Sequence, residues 1–339
     1  MSKRLAYWLE ELRTDHNDIV GKKCANLGEM ARIGLSIPRG FALSVHAYSV
    51  FMDQTGTADE LEKVLAAMNV THTDMQSIQN LSATLRQIME SRPMPPELED
   101  VILSFYERLC GRCEHADVAV STRSAGAASH PGQYETYLNV KGKTDLLEKI
   151  RKVWGSTVNA RSITNRLRKN LPAMGVPIGV AVLEMVDARS AGIAFSVDPN
   201  TGDETRMIIE ANWGLGESVV SGKLIPDRWV LDKETCEVRE CQLGKKETAV
   251  FLAAEGVIEQ KTPVEKSDTF CCTDTELSEI GRLAKELENH FNEPQDIEWA
   301  ITEDRGFPEV ILLQARPAVV VKKSASDSVL DMMVGMFRK

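Results

Sequence analysis

Two short stretches near the end of the chain, Gln295-Asp-Ile-Glu-Trp299 and Leu313-Gln-Ala-Arg316, decide how the sequence is read. In an extended strand, side chains two apart point to the same face. Asp296 and Glu298 therefore share one face, and so do Gln314 and Arg316. The turn residues Thr302-Glu-Asp-Arg-Gly306-Phe-Pro308 lie between the two stretches. An antiparallel hairpin centred on Gly306 sets Glu298 opposite Gln314 and Asp296 opposite Arg316. One face then carries two carboxylates, an amide and a guanidinium. Two readings fit. The face is solvated and holds a cross-strand ion pair, worth roughly 0.2–1 kcal/mol. Alternatively it is a magnesium–phosphate site, with Glu298 and the Gln314 amide oxygen on the hard cation and Arg316 on a phosphate.

Working outward, short apolar runs at Val180–Val186, Gly192–Val197, Met207–Glu210 and Trp229–Leu231 read as strands. A helix is expected over Glu276–Phe291, with Leu277, Ile280, Leu283, Ala284 and Leu287 on one side. Another, with a basic outer face, is expected from about Asp145 to Lys169. The first third reads as helical. Leu61, Val64, Leu65 and Met68 form one apolar stripe. Ile78, Leu81, Leu85, Ile88 and Met89 form a second, and Leu98, Val101, Ile102 and Phe105 a third. Period two returns at Val118 and Val120. It leads into the small-residue loop Ser124–Gly132, where backbone N–H groups can approach phosphate oxygens. Arg123 opens that loop. Lys23 sits where a helix begins. Both are placed to complete an anion site, although a lone Lys or Arg is ordinarily a surface charge.

The chain has 339 residues, which suits two lobes better than one core. Hydrophobic residues make up 43% and charged residues 27%, an ordinary globular composition that excludes a disordered chain. The net charge of −10 lacks the footprint of a nucleic-acid binder. No apolar run approaches the ~20 residues that cross a bilayer. Met1–Glu10 shows no secretory pattern, so a cytoplasmic protein without membrane contact is expected. The seven cysteines are expected as reduced thiols, and Cys110-x-x-Cys113 has no second pair to complete a zinc site.

Generic nucleotide motifs fail. Gly216–Leu224 has the wrong spacing for a P-loop, and Leu224 replaces the hydroxyl residue that would hold magnesium. Gly214-Leu-Gly216 is followed by Val219, which breaks the dinucleotide fingerprint.

Five ordered stretches nevertheless resemble one family, the N-terminal ATP-binding region of phosphoenolpyruvate synthases, pyruvate phosphate dikinases and rifampin phosphotransferases. They are Gly21–Met30, Ile37-Pro-Arg-Gly-Phe41, Thr122–Gly132 with Glu135-Thr-Tyr-Leu-Asn139, Trp213–Glu217 with Pro226-Asp227, and the two strands of the opening hairpin. The resemblance implies an α+β ATP-grasp fold whose two lobes clamp ATP. The lobes are expected at residues 1–190 and 191–320, with 321–339 a linker and a candidate docking helix. It implies that Lys23, Arg123 and Arg316 act on the phosphates, that Gly132, Glu135 and Thr136 belong to the covering loop, and that Leu183 and Glu184 lie nearest the adenine. It further implies that Glu298 and Gln314 hold Mg and that Asp296 completes the site. Lys22 and Cys24 stand where the family has flanking glycines, and Leu183 where glutamine is frequent.

The family passes phosphate to a histidine in a Thr-Ser-His-like context. None of the six histidines here (His130 in the loop included) has that context. The resemblance therefore implies a partner subunit that carries the phosphohistidine and the acceptor site. An ATP-binding chain of this extent resembles the β subunits of phenylphosphate synthases, which implies phenol as the small-molecule acceptor. The alternatives are a phosphoenolpyruvate-synthase-like or antibiotic phosphotransferase, or a non-catalytic ATP sensor.

Overall fold

The computed structural model describes residues 4–67, 74–127, 134–303 and 308–320. Helices and sheets are mixed, as expected of an α+β chain. The chain divides into two compact units, Met1–Met185 with Leu252–Val257, and Val186–Phe251 with Ile258–Lys339. Among the described residues no helix is long and apolar enough to cross a membrane.

The first unit is built on a five-stranded sheet of β1 (Ala6–Trp8), β2 (Gly40–Leu43), β3 (Val120–Ala125), β4 (Thr136–Val140) and β5 (Gly179–Glu184), in the order β1-β2-β5-β3-β4. All its pairings are antiparallel. Phe41, Leu43, Val120, Val180 and Val182 fall on one face by register and join the core. The three apolar stripes of the first third lie on helices Thr57–Ala67, Met75–Ser91 and Pro96–Arg112, which close over that core. Met68 lies outside the described residues. Trp154 and Phe51 pack with ring centroids 5.0 Å apart, and Phe105 stacks on Trp8 at 4.8 Å. The opposite face carries Gly40, Ala42, Ser121, Ala125 and Ala181, residues too small to build a core of their own.

The sequence reading needs correcting in this unit. The first third also holds strands β1 and β2, which are too short for period two to register. The helix expected over Asp145–Lys169 is two, Gly142–Gly155 and Ala160–Arg168. A 3-10 turn over Ser156–Val158 separates them, and the Asn159 side chain caps the second by accepting from Ser162 N at 2.7 Å.

The second unit is built on a six-stranded antiparallel sheet. Its strands are β6 (Ser190–Phe195), β7 (Arg206–Trp213), β8 (Asp227–Asp232), β9 (Val238–Gln242), β12 (Gln295–Thr302) and β13 (Glu309–Pro317), in the order β13-β12-β6-β7-β8-β9. A separate two-stranded ribbon pairs β10 (Thr248–Leu252) with β11 (Val257–Lys261). Helix Asp274–Phe291 starts at a capping box, in which Glu276 accepts from Thr273 N at 2.8 Å. Leu277, Ile280, Leu283, Ala284 and Leu287 are buried, the stripe read from the sequence. Gly281 brings this helix against Leu231 and Met207, so it covers the sheet face that carries Ile297, Ile209 and Trp229. The face with Asp296 and Glu298 is the other one.

Candidate functional site

The expected residues fall into two sets, Lys23, Arg123, Glu135, Thr136, Leu183 and Glu184 in the first unit and Asp296, Glu298, Gln314 and Arg316 in the second. Gly132, the turn at Gly306, His130 and the expected docking helix lie outside the described residues.

In the first unit, Arg123 lies opposite Thr136 on β4 and Ala181 on β5. Leu183 lies on the same face, opposite Ser121 and Gly40. Lys23 is in the first turn of helix Lys22–Arg32. That turn is tied to the end of β3, because Lys22 N donates to Gly126 O at 3.0 Å. Gly21 precedes it at φ +84°, and a side chain there would collide with the Ala125 carbonyl. Lys23 and Arg123 both act electrostatically on the buried Cys24 thiol. Burial pushes that thiol up to about 12, and the two cations oppose the rise. The structure thus gathers Lys23, Arg123, Thr136 and Leu183 around one small-residue face.

Two other residues are occupied elsewhere. Glu184 alternates onto the opposite face, opposite Val120, where its carboxylate and the Arg39 guanidinium both reach the Cys113 thiol. Glu135 is gripped by Arg86, with Arg86 Nη2 donating to Oε2 at 2.9 Å, and it accepts from the Tyr137 hydroxyl. Arg86 also donates to Glu90 at 2.7 Å within its own helix, and its grip on Glu135 ties the start of β4 to helix Met75–Ser91. The Glu135 side chain therefore has a holding role.

In the second unit the hairpin register is the one read from the sequence. Asp296 pairs with Arg316 and Glu298 with Gln314. Arg316 donates from Nε to Asp296 Oδ2 at 2.7 Å, and its Nη2 lies 2.6 Å from the same oxygen. Burial raises the Asp296 pKa, Arg316 opposes that rise, and Glu298 adds to it. One detail departs from a regular hairpin. The register shifts between Glu298 and Trp299, which then faces Leu312, so Leu313 is an extra bulged residue beside the polar pair. Bulges at such places re-aim side chains.

Sequence reasoning missed the continuation of this polar face. Ile193 follows Glu298 across the sheet, then Glu210, then Arg228. Glu210 and Arg228 lie 3.7 Å apart, and burial raises the Glu210 pKa. Only the pairing order of the strands could have placed them there. Also missed was a buried ion pair behind the Pro226-Asp227 signature. Lys246 Nζ lies 2.5 Å from Asp227 Oδ1, and both side chains are fully buried. Asp227 also accepts from Gly244 N at 2.8 Å and Cys271 N at 2.9 Å.

Among the described residues no three His, Cys, Asp or Glu side chains cluster as metal ligands. Glu298 and Gln314, opposite each other, instead offer two hard oxygen donors. That set suits a cation which keeps most of its coordination for water and phosphate oxygens, the habit of Mg.

Comparison with known proteins adds four findings. The family described as "Pyruvate phosphate dikinase, AMP/ATP-binding domain" matches residues 17–334. A "Probable phosphoenolpyruvate synthase" of Methanothermobacter thermautotrophicus is 35% identical over 97% of this chain and 48% of its own length. One from Staphylothermus marinus is 35% identical over 93% of this chain and 41% of its own. A "Phosphoenolpyruvate synthase" of Aeropyrum pernix is 34% identical over 97% and 44%. The chain thus spans a little under half the length of these curated relatives.

Proposed function

The chain belongs to the family of the pyruvate phosphate dikinase AMP/ATP-binding domain, and from that premise we propose that it is the ATP-binding part of a phosphotransferase of the phosphoenolpyruvate-synthase type. The fold we assign is ATP-grasp, and the substrate is ATP with Mg. Phosphoryl transfer is mostly positioning and charge neutralisation. Lys23 and Arg123 are the cations of the first unit for the phosphate chain, and Thr136 is the hydroxyl beside Arg123. Arg316, held in place by Asp296, is the cation of the second unit. Glu298 and Gln314 would hold Mg, which supplies further neutralisation of phosphate charge when bound. The single observation that carries the reading is the β12–β13 register, which puts a carboxylate opposite an amide and an aspartate opposite an arginine on one face.

Transfer is proposed to a histidine outside these 339 residues, on another domain or polypeptide. The relatives named phosphoenolpyruvate synthase favour pyruvate over phenol as the final acceptor, so the phenol reading gives way. A pure ATP sensor would use the same phosphate contacts, and the relatives named as synthases favour the phosphotransferase reading over it.

Titration calorimetry with ATP, with and without Mg, tests the proposal. Wild type is expected to bind Mg-ATP. Arg123→Ala and Glu298→Gln should each weaken binding by about 10–100-fold, the scale of one or two charge-assisted contacts. Wild-type affinity in both variants would refute the assignment.

A further inference from the structure

Asn139 is absent from every role above, yet its environment is specialised. It adopts φ +55°, the left-handed region that L side chains rarely occupy. It is buried, and it sits where the β3–β4 register changes. Val120 faces Val140, but Thr122 faces Tyr137 and Arg123 faces Thr136, so Leu138–Asn139 carry one extra residue. Were β4 to continue in the phase of Val120 and Val140, Tyr137 would lie opposite Arg123 instead of Thr136. A one-residue slip turns every following side chain to the other face.

The side chain shows what holds the extra residue. Asn139 Nδ2 donates to Ala253 O at 2.7 Å and to Gly256 O at 2.5 Å. Lys141 Nζ reaches Ala254 O at 3.1 Å. These carbonyls belong to the β10–β11 tip, residues Leu252–Val257, which cluster with the first unit. Asn139 Oδ1 is buried without a hydrogen-bond partner, so the amide is oriented to give both hydrogens to the tip.

We propose that Asn139 and the 252–257 tip form a register lock, a positioning device that keeps Thr136 opposite Arg123 without touching nucleotide. The proposal deepens the ATP-binding reading and rests on it for its functional consequence. The tip carbonyls hold Asn139 in its left-handed conformation, and that conformation sets the phase of β4. Asn139→Asp keeps the size but loses both donors and sets a carboxylate against two carbonyl oxygens. Asn139→Gly accepts the backbone conformation freely but has no amide, so it separates the lock from mere φ tolerance.

The experiment uses the full chain, with Asn139→Asp, Asn139→Gly and a variant with Ala253–Gly256 replaced by Asn-Gly. Hydrogen exchange of the 134–140 peptide and the Kd for Mg-ATP are measured for each, together with Tm. Each variant should exchange about tenfold faster or more at 134–140 and bind Mg-ATP about tenfold or more weaker, the scale of two neutral hydrogen bonds. Tm should change less for Asn139→Gly than for Asn139→Asp, whose buried carboxylate is repelled by the tip carbonyls, and Asn139→Asp combined with the tip variant should be no worse than Asn139→Asp alone. If Asn139→Gly exchanges and binds like wild type, left-handed tolerance alone matters and the lock is refuted. Additive effects of tip and Asn139 would also refute it. Should wild type fail to bind Mg-ATP, the ATP reading fails, while exchange at 134–140 still decides the lock.

Discussion

Replacing Arg316 by Met should expose how much the polar face depends on its internal pair. Asp296 has only 9% of its side chain exposed, and Arg316 25%. Arg316 Nε donates to Asp296 Oδ2 at 2.7 Å, with Nη2 2.6 Å from the same oxygen. Breaking a fully buried pair costs about 3–5 kcal/mol, because the remaining charge is stranded. Water reaches part of Arg316, so about 2–3 kcal/mol is expected at pH 7.5, scaled down from that figure. The deficit should depend on pH. Burial already lifts the Asp296 pKa above the ordinary 3.8, and losing Arg316 removes the influence that opposes the lift. A carboxyl whose folded pKa lies above its unfolded value favours the fold below the unfolded pKa, and that advantage disappears as pH rises through the folded pKa. Protonation in acid therefore relieves the variant more than wild type. Hydrogen exchange of peptides 295–302 and 309–317, compared at the same pH, reads the local opening energy. A deficit falling below about 1 kcal/mol at pH 5 is expected as the stranded charge is neutralised. Asp296→Asn together with Arg316→Met should recover part of the loss at pH 7.5. An equal deficit at both pH values, or a double variant no better than the single, would refute the argument.

Asp227→Ala strands the fully buried Lys246 ammonium and frees Gly244 N and Cys271 N, so a loss of about 3–5 kcal/mol is expected in urea unfolding followed by tryptophan fluorescence. An effect under about 1 kcal/mol would mean that the ammonium finds water. Cys24, its thiol pushed up to about 12 by burial, should resist iodoacetamide at pH 8 while the exposed Cys241 is labelled, as read by peptide mass spectrometry. Gly21→Ala forces a side chain at φ +84° against the Ala125 carbonyl, and should cost more than the roughly 1–2 kcal/mol of left-handed strain alone in a thermal melt.

The parts that sequence revealed are those with a strong period. The β12 and β13 strands alternate Asp-x-Glu and Gln-x-Arg, and that spacing, with the hairpin centred on Gly306, gave the observed cross-strand partners. The helix stripes at 61–65, 78–89 and 277–287 were legible because an amphipathic helix repeats its apolar residues often enough to be recognised. β1 and β2 were not, because three or four buried residues show no alternation. The Leu313 bulge was hidden because an extra residue leaves no compositional mark. Glu210 and Arg228 were invisible for a different reason, since they meet Glu298 only through the strand order β12-β6-β7-β8. Glu135 and Glu184 resembled ligands by position, but their carboxylates answer to Arg86 and to Cys113 with Arg39, partners 49 residues or more away in the chain.

The charge pattern explains why the two sets differ in kind. Lys23 and Arg123 bring two cations to the small-residue side of the first unit, a charge suited to an anion. On the second unit's face, three carboxylates, Asp296, Glu210 and Glu298, stand with two guanidiniums, Arg316 and Arg228, a formal surplus of one negative charge. One net negative charge would repel a polyphosphate. A divalent cation on Glu298 and Gln314 would turn the same face positive. The pairing of Asp296 with Arg316 keeps the surplus to a single charge. Without the guanidinium, two neighbouring carboxylates would compete for the cation, and the phosphate chain would lose the one fixed positive group on those strands.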